Sequence, residues 1–301
     1  MRIGIDLGGT KTEAIALDED GTELGRIREA TPRHDYEGSI RQMAGLVRAL
    51  ESDLGRTGTV VVGGPGAISP VSGVIKNANS VWLNDRPLDR DLSAALDRPV
   101  RYANDANCLA VSEATDGAGA GARVVLAFII GTGSGSGIAI DARVHTGPNA
   151  NAGEWAHNPL PWARPEEYPG HECWCGKQGC LETWISGIGL EKDHERRTGT
   201  AKSASDIAAA ATEGDAACAA TMELYEDRLG RGMAQVVNVL DPDVIVLGGG
   251  ISNIDRLYDT LPRIIPEYVF GGAFLTPIRK ARHGDSSGVR GAAWLWPKGG
   301  E

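Results

Sequence analysis

The chain has 301 residues, 42% hydrophobic and 23% charged, long enough for two ordinary domains with a core each. Its formal charge of −10 and the lack of a dense Lys/Arg run argue against nucleic acid or an anionic membrane as partner. No run approaches ~18 consecutive apolar residues and the N-terminus lacks a signal-peptide pattern, so a cytoplasmic location is expected. Five cysteines, an odd number, do not suggest a disulfide scaffold.

In chain order, residues 2–6, 12–18 and 23–29 read as three strands. They are joined by turns at Leu7-Gly8-Gly9 and Glu19-Asp20-Gly21. The first turn carries chemistry. In Asp6-Leu7-Gly8-Gly9-Thr10-Lys11, Gly8 and Gly9 let backbone N–H groups approach a phosphate, while Thr10 and Lys11 add a hydroxyl and a cation. Asp6, at a strand end, is placed to hold Mg²⁺. A plain β-hairpin is the alternative. A Walker A loop is excluded by spacing, and a dinucleotide fingerprint by the strand pattern that follows.

A helix is predicted over 36–53 from apolar residues at Ile40, Met43, Leu46, Val47 and Leu50. A buried strand at 59–62 then runs into Gly63-Gly64-Pro65-Gly66. A short strand at 99–102 leads into Asn104-Asp105-Ala106-Asn107, and 108–113 reads as helix. Phosphoryl transfer to an alcohol needs a carboxylate that accepts the hydroxyl proton, and Asp105 is the candidate, with Asn104 a hydrogen-bonding neighbour. Capping of the following helix explains the same Asx residues equally well, and the two roles can be divided among them.

The small-residue stretch at 114–122 marks the expected domain boundary. A strand at 124–130, a glycine-rich turn at 131–137 and a strand at 138–141 then repeat the opening pattern weakly. Gly131, Thr132 and Gly133, with Ser134 and Gly135, form the partner loop of a two-sided phosphate clamp for ATP. Glu154, His157 and Glu182 are polar groups suited to a polyol. Cys173, Cys175 and Cys180 stand at C-x-C-x₄-C spacing, with His157 upstream as a fourth ligand, which suits a closed tetrahedral Zn²⁺ site. A disulfide between two of the cysteines is the alternative. Such a metal would stiffen the wall bearing His157, Glu154 and Glu182 rather than act in the chemistry. Further on, 225–240 reads as helix, 244–247 as strand, and 254–265 and 287–295 as helices. Gly248, Gly249 and Gly250 at the strand's end could admit adenine and ribose, or simply form a tight turn.

DLGGTK (6–11), Asn104-Asp105, Glu154-x-x-His157 and CxCGxxGCxE (173–182) together resemble the ROK family of sugar kinases and related repressors. The resemblance spans essentially the whole chain. It implies an α/β, actin-like ATPase (ribonuclease H-like) fold, with two facing domains and a cleft holding sugar and ATP, usually in a homodimer. On that reading 1–118, completed by a C-terminal helix at 287–301, is the sugar and phosphate domain. Residues 119–286 carry the zinc loop and nucleotide-binding elements. The family implies Asp105 as catalytic base, with Asn104, Glu154, His157 and Glu182 on the sugar. NANSVWLND (77–85), which adds Asn79 to the sugar contacts, AGEWAHNPLPW (152–162), CGKQGCLETWISG (175–187) and GDSSGVRGAAWLW (284–296) are similar to the family's fructokinase branch. Fructose phosphorylated at O6 is therefore the expected substrate, with mannose, glucose or N-acetylglucosamine as alternatives. Ala156 replaces the usual glycine of E-x-G-H. A repressor is disfavoured, because the chain opens on its first strand and is acidic.

Overall fold

Alternating β-branched and small residues at the start of the chain build the first sheet of a computed structural model that describes residues 1–296. Strands β1 (Arg2–Leu7), β2 (Lys11–Leu17) and β3 (Glu23–Ala30) form an antiparallel meander. Helix α1 (Tyr36–Leu54) follows. Its N-terminus is capped by Asp35, whose carboxylate accepts the Gly38 N–H at 2.8 Å, and it ends at Gly55 in the left-handed region, φ 61°. The buried face, Ile40, Met43, Leu46, Val47 and Leu50, has the 3.6-residue period read from the sequence. It packs into a core with Ile3, Ile5, Val60 and Val62.

Strand β4 (Thr59–Gly64) lies parallel to β1, with Asp6 opposite Gly63. A small hairpin, β5 (Ala67–Ile68) and β6 (Ile75–Lys76), and helix α2 (Leu88–Leu96) precede β7 (Val100–Asn104), which pairs parallel with β4. The sheet order is β3-β2-β1-β4-β7. Helix α3 (Asp105–Thr115) leaves directly from the end of β7.

Strands β8 (Val124–Ile130), β9 (Ser134–Ile140) and β10 (Arg143–Val144) open a second sheet. Strand β9 begins inside the predicted glycine turn, because backbone pairing needs no side chains. The helical stretch that follows comprises α4 (Glu182–Ile185), α5 (Gly187–Thr198), α6 (Ala204–Thr212) and α7 (Ala216–Leu240). Helix α7 is longer than predicted, starting at its Asp215 cap. Strand β11 (Val244–Gly248) runs parallel to β8. After α8 (Leu257–Ile264), β12 (Ile278–Lys280) runs parallel to β11, giving the order β10-β9-β8-β11-β12. The two sheets share one scheme, an antiparallel hairpin edge followed by parallel strands. The last helix, α9 (Ser287–Trp294), lies on β1 and α3. A Cβ at Gly4 would stand 2.1 Å from the Val289 carbonyl oxygen, and one at Gly291 would stand 1.7 Å from that of Cys108, so both glycines are required for close approach. Residues 297–301 of the expected C-terminal helix lie outside the described residues.

By internal packing the chain forms two units. The first takes Met1–Arg123, Gly137–Ala152 and the segment from Arg282 onward. The second takes Val124–Ser136 and Gly153–Ala281. Among the described residues no helix is long and apolar enough to cross a membrane.

Candidate active site

In the first unit, candidate groups gather where β1, β4 and β7 end. Asp6 faces Glu13 across the β1–β2 ladder. Burial pushes its carboxyl up to about 7, and the charges of Asp105 and Glu13 add to this against Lys11 and Arg28. Asp6 and Asp105 are thus electrostatic neighbours. Glu13 itself is buried and ion-paired to Arg26 and Arg28, so it is a structural acid. The β1–β2 turn is closed by the Gly8 N–H donating to the Lys11 carbonyl oxygen at 3.0 Å, while Gly9 and Thr10 are exposed at its tip. A Cβ at Gly8 would stand 2.8 Å from that carbonyl oxygen.

The Asx residues at the start of α3 divide their roles. Asn104 is the N-cap: its Oδ1 accepts the Ala106 N–H at 2.9 Å, and its Nδ2 donates to the Gly66 carbonyl at 3.3 Å. Asp105 occupies the first helical position, and its Oδ1 accepts the Ala106 N–H at 2.8 Å. Asn79 is exposed.

In the second unit, Gly131–Gly133 form the turn between β8 and β9, with the Gly131 N–H on the Gly133 carbonyl at 2.9 Å. This turn already has a carboxylate beside it. Glu182 Oε2 accepts the Ser134 N–H at 3.0 Å, and Oε1 accepts the Trp174 indole N–H at 2.6 Å. Thr132 and Gly133 are exposed. Of the three glycines after β11, Gly248 is buried inside the strand opposite Ile129, so only Gly249 and Gly250 form the turn. Gly249, at φ 80°, would set a Cβ 2.4 Å from the Ile130 carbonyl oxygen.

His157, Cys173, Cys175 and Cys180 come together, their ligand atoms all within 4.8 Å of one another. Cys175 Sγ and Cys180 Sγ are 3.6 Å apart, and Cys173 Sγ lies 3.6 Å from His157 Nδ1. Tetrahedral bonds of ~2.3 Å to sulfur put ligand atoms roughly this far apart, so the donor set fits zinc. All the cysteines are free thiols, which sets the disulfide alternative aside. Because Nδ1 faces the cysteines, zinc would leave the Nε2 edge of His157 for another partner. Glu154 is exposed just before the 3₁₀ turn Trp155–His157. Ala156 sits inside that turn, buried and outside the positive-φ residues, so its methyl is accepted without backbone strain.

Two groups carried no sequence signal. Trp174 stands between Cys173 and Cys175, 61% exposed and edge-on to His157. Glu167 lies in the proline-flanked loop before the cysteines. Buried there, it accepts Arg228 Nε at 2.9 Å and both terminal nitrogens of Arg231 at 2.8 and 2.9 Å. Desolvation would raise its carboxyl, but the Arg231 and Arg228 hydrogen bonds hold it down to about 2.

The doubled sheet scheme and the acid at the strand ends define an actin-like ATPase fold. The ROK family profile matches residues 2–299, and the chain belongs to that family. It is 39% identical to the N-acetyl-D-glucosamine kinase of Vibrio cholerae serotype O1 and 36% identical to that of Haemophilus influenzae. Both alignments cover 98% of this chain and 99% of the relative. A ROK hexokinase from Thermus thermophilus superposes with a TM-score of 0.87 at 31% identity, covering 98% of this chain and 97% of that one. A ROK family glucokinase from Streptomyces griseus, solved with glucose and AMPPNP, gives 0.80 at 27%, covering 98% of each chain. These relatives overturn the fructokinase expectation, since the full-length matches at 36–39% are N-acetyl-D-glucosamine kinases. The physical reason lies in the segments behind it. Residues 175–187 carry two of the clustered cysteines and 284–296 carry α9, structural elements whose presence does not by itself name one sugar.

Proposed function

We propose that the protein is an ATP-dependent kinase that phosphorylates N-acetyl-D-glucosamine at its primary hydroxyl. The observation that carries this reading is the end-to-end similarity to N-acetyl-D-glucosamine kinases. The geometry of the first unit supports the reaction class. Asp105, at the start of α3, accepts the proton of the sugar hydroxyl as that oxygen attacks the γ-phosphorus of ATP and the bond to ADP breaks. The Asp6–Lys11 turn lies at the same sheet edge and presents backbone groups, a hydroxyl and an ammonium to phosphate. Asp6, held near neutral pH by burial and like charge, would hold Mg²⁺. That cation, when bound, neutralises charge on the phosphates.

The second unit contributes sugar contacts. Glu182 and His157 are both fixed by the cysteine loop, and Glu154 flanks it. His157 would hold zinc through Nδ1 and present its other edge to a hydroxyl. Glucose is the second reading, favoured by the glucose-bound glucokinase that shares the fold.

The test is a coupled assay of ADP release from Mg²⁺-ATP with N-acetylglucosamine, glucose, mannose and fructose. N-acetylglucosamine is expected to give the highest kcat/KM. Asp105→Asn should bind sugar normally by calorimetry and lose roughly 10²–10⁴-fold in kcat. No sugar-dependent ADP release, or ordinary turnover in that variant, overturns the reading.

A further inference from the structure

We propose that Trp174 is a specificity-determining residue of the sugar wall, supplying its apolar face and positioning Glu182. The inference rests on the sugar-kinase reading and deepens it. A tryptophan left 61% exposed presents apolar surface to water, and here it stands in the turn between two of the clustered cysteines, Cys173 and Cys175. Both of its neighbours are the polar groups expected to meet the sugar. Its ring lies 5.0 Å from the His157 ring at 85°, so the two rings meet edge to face and form one corner. Its indole N–H donates to Glu182 Oε1 at 2.6 Å.

Glu182 is consequently held from both ends, by Trp174 on Oε1 and by the Ser134 N–H on Oε2 at 3.0 Å. A carboxylate pinned at both oxygens keeps its plane, and each oxygen retains a lone pair for a substrate hydroxyl. The indole thus does two jobs. Its N–H is the polar handle that orients an acceptor, and its exposed face is the apolar surface that a hexose C–H face or an acetamido methyl would cover. Of the sugars in question only the N-acetylated one carries a methyl group, so loss of the ring should weaken it more than glucose.

The experiment compares wild type, Trp174→Phe and Trp174→Ala for zinc content, for KM and kcat with N-acetylglucosamine and glucose, and for intrinsic fluorescence during sugar titration. Both variants should keep stoichiometric zinc and leave KM for ATP unmoved. Trp174→Phe removes a hydrogen bond to a charged group and is expected to raise sugar KM about tenfold while kcat changes far less. Trp174→Ala should widen the gap, with N-acetylglucosamine losing more than glucose. The chain has seven tryptophans, so the sugar-induced fluorescence change is assigned by subtraction, and it should vanish in both variants. An unchanged sugar KM, equal loss for both sugars, or a fluorescence change that survives in Trp174→Phe overturns the inference. If wild type phosphorylates none of the sugars, the kinase reading itself fails, a result distinct from all of these.

Discussion

Each unit buries a carboxylate at a place the fold depends on, and the two titrate in opposite directions. Asp6, at the end of β1, is desolvated beside Asp105 and Glu13 and rises to about 7. Glu167, in the loop before the cysteines, is also desolvated but meets two guanidiniums and falls to about 2. Burial raises both; the neighbours decide the outcome. A carboxylate saturated by arginine is a structural tie. One left beside like charges is poorly satisfied by its own protein and would be stabilised by a cation from outside, as the proposed Mg²⁺-nucleotide would supply. The same contrast separates Glu13, paired to Arg26 and Arg28, from Asp6 opposite it in the ladder.

The largest effect should come from breaking the tie. Arg228 also reaches Asp193 at 2.9 Å, and Arg231 reaches Asp227 at 2.9 Å, so Glu167 anchors the loop before the cysteines to α7 and α5 through one buried network. Glu167→Gln leaves guanidinium charge short of a partner and is expected to cost about 3–5 kcal/mol in denaturant unfolding at pH 7. The sign with pH follows from the lowered value. The stability that Glu167 contributes is fully present above its ordinary range near 4.5 and is lost as pH falls toward 2. The gap between wild type and variant should therefore close in acid. A gap that is the same at pH 3 and pH 7 would mean that the network is not electrostatic.

This network also marks where the sequence stopped being readable. The β1–β2 hairpin, the amphipathic α1 and the strand before the Asx cluster were legible because period and turn chemistry are local. So was the His/Cys cluster, since its three cysteines fall within eight positions and the histidine lies just upstream. Glu167 was silent, because its partners Arg228 and Arg231 lie some sixty residues away in the chain, a separation no local pattern spans. Helices α2, α5 and α6 were missed for a related reason: they are short, and only α5 and α6 carry a side-chain cap, at Ser186 and Ser203. The split between Asn104 as cap and Asp105 as first helical residue needed the φ/ψ of one residue. Substrate choice was misread, because much of the segments that suggested fructose is scaffold, the cysteine cluster and α9, that does not by itself name one sugar.

The next effect sharpens the other side of the contrast. The Asp6 carboxyl is raised, so the folded chain holds its proton to higher pH than the unfolded chain does. Stability from this position is fully present below about pH 4 and is lost as pH rises through 7. Asp6→Asn removes that loss, and the nucleotide-free variant should be about 4 kcal/mol more stable than wild type at pH 8, with the two nearly equal at pH 4. Mg²⁺-ATP should raise the melting temperature of wild type and barely move that of the variant. If wild type at pH 8 is the more stable of the two without nucleotide, Asp6 is satisfied by its own surroundings and the contrast with Glu167 collapses.

The smallest effect concerns how each hairpin is backed. In the second unit the turn leans on Glu182 and on the Gly187 N–H, which donates to the Gly131 carbonyl at 2.7 Å. In the first unit the backing is uncharged. Thr31, buried just past β3, donates its hydroxyl to the Gly8 carbonyl at 2.7 Å and shares a 2.9 Å hydrogen bond with the Thr12 hydroxyl. Its N–H also donates to the Thr10 carbonyl at 3.0 Å. One residue thus holds both sides of the Gly8–Lys11 turn from behind, adding no charge beside Asp6. Thr31→Val keeps the shape and the backbone bond but removes the hydroxyl, for about 1 kcal/mol of stability. Because the hydroxyl restrains the turn that would meet phosphate, KM for ATP is expected to rise severalfold while KM for sugar stays put, with Thr31→Ser restoring both. If the two KM values rise together, Thr31 supports the sheet as a whole, and the uncharged backing has no bearing on nucleotide binding.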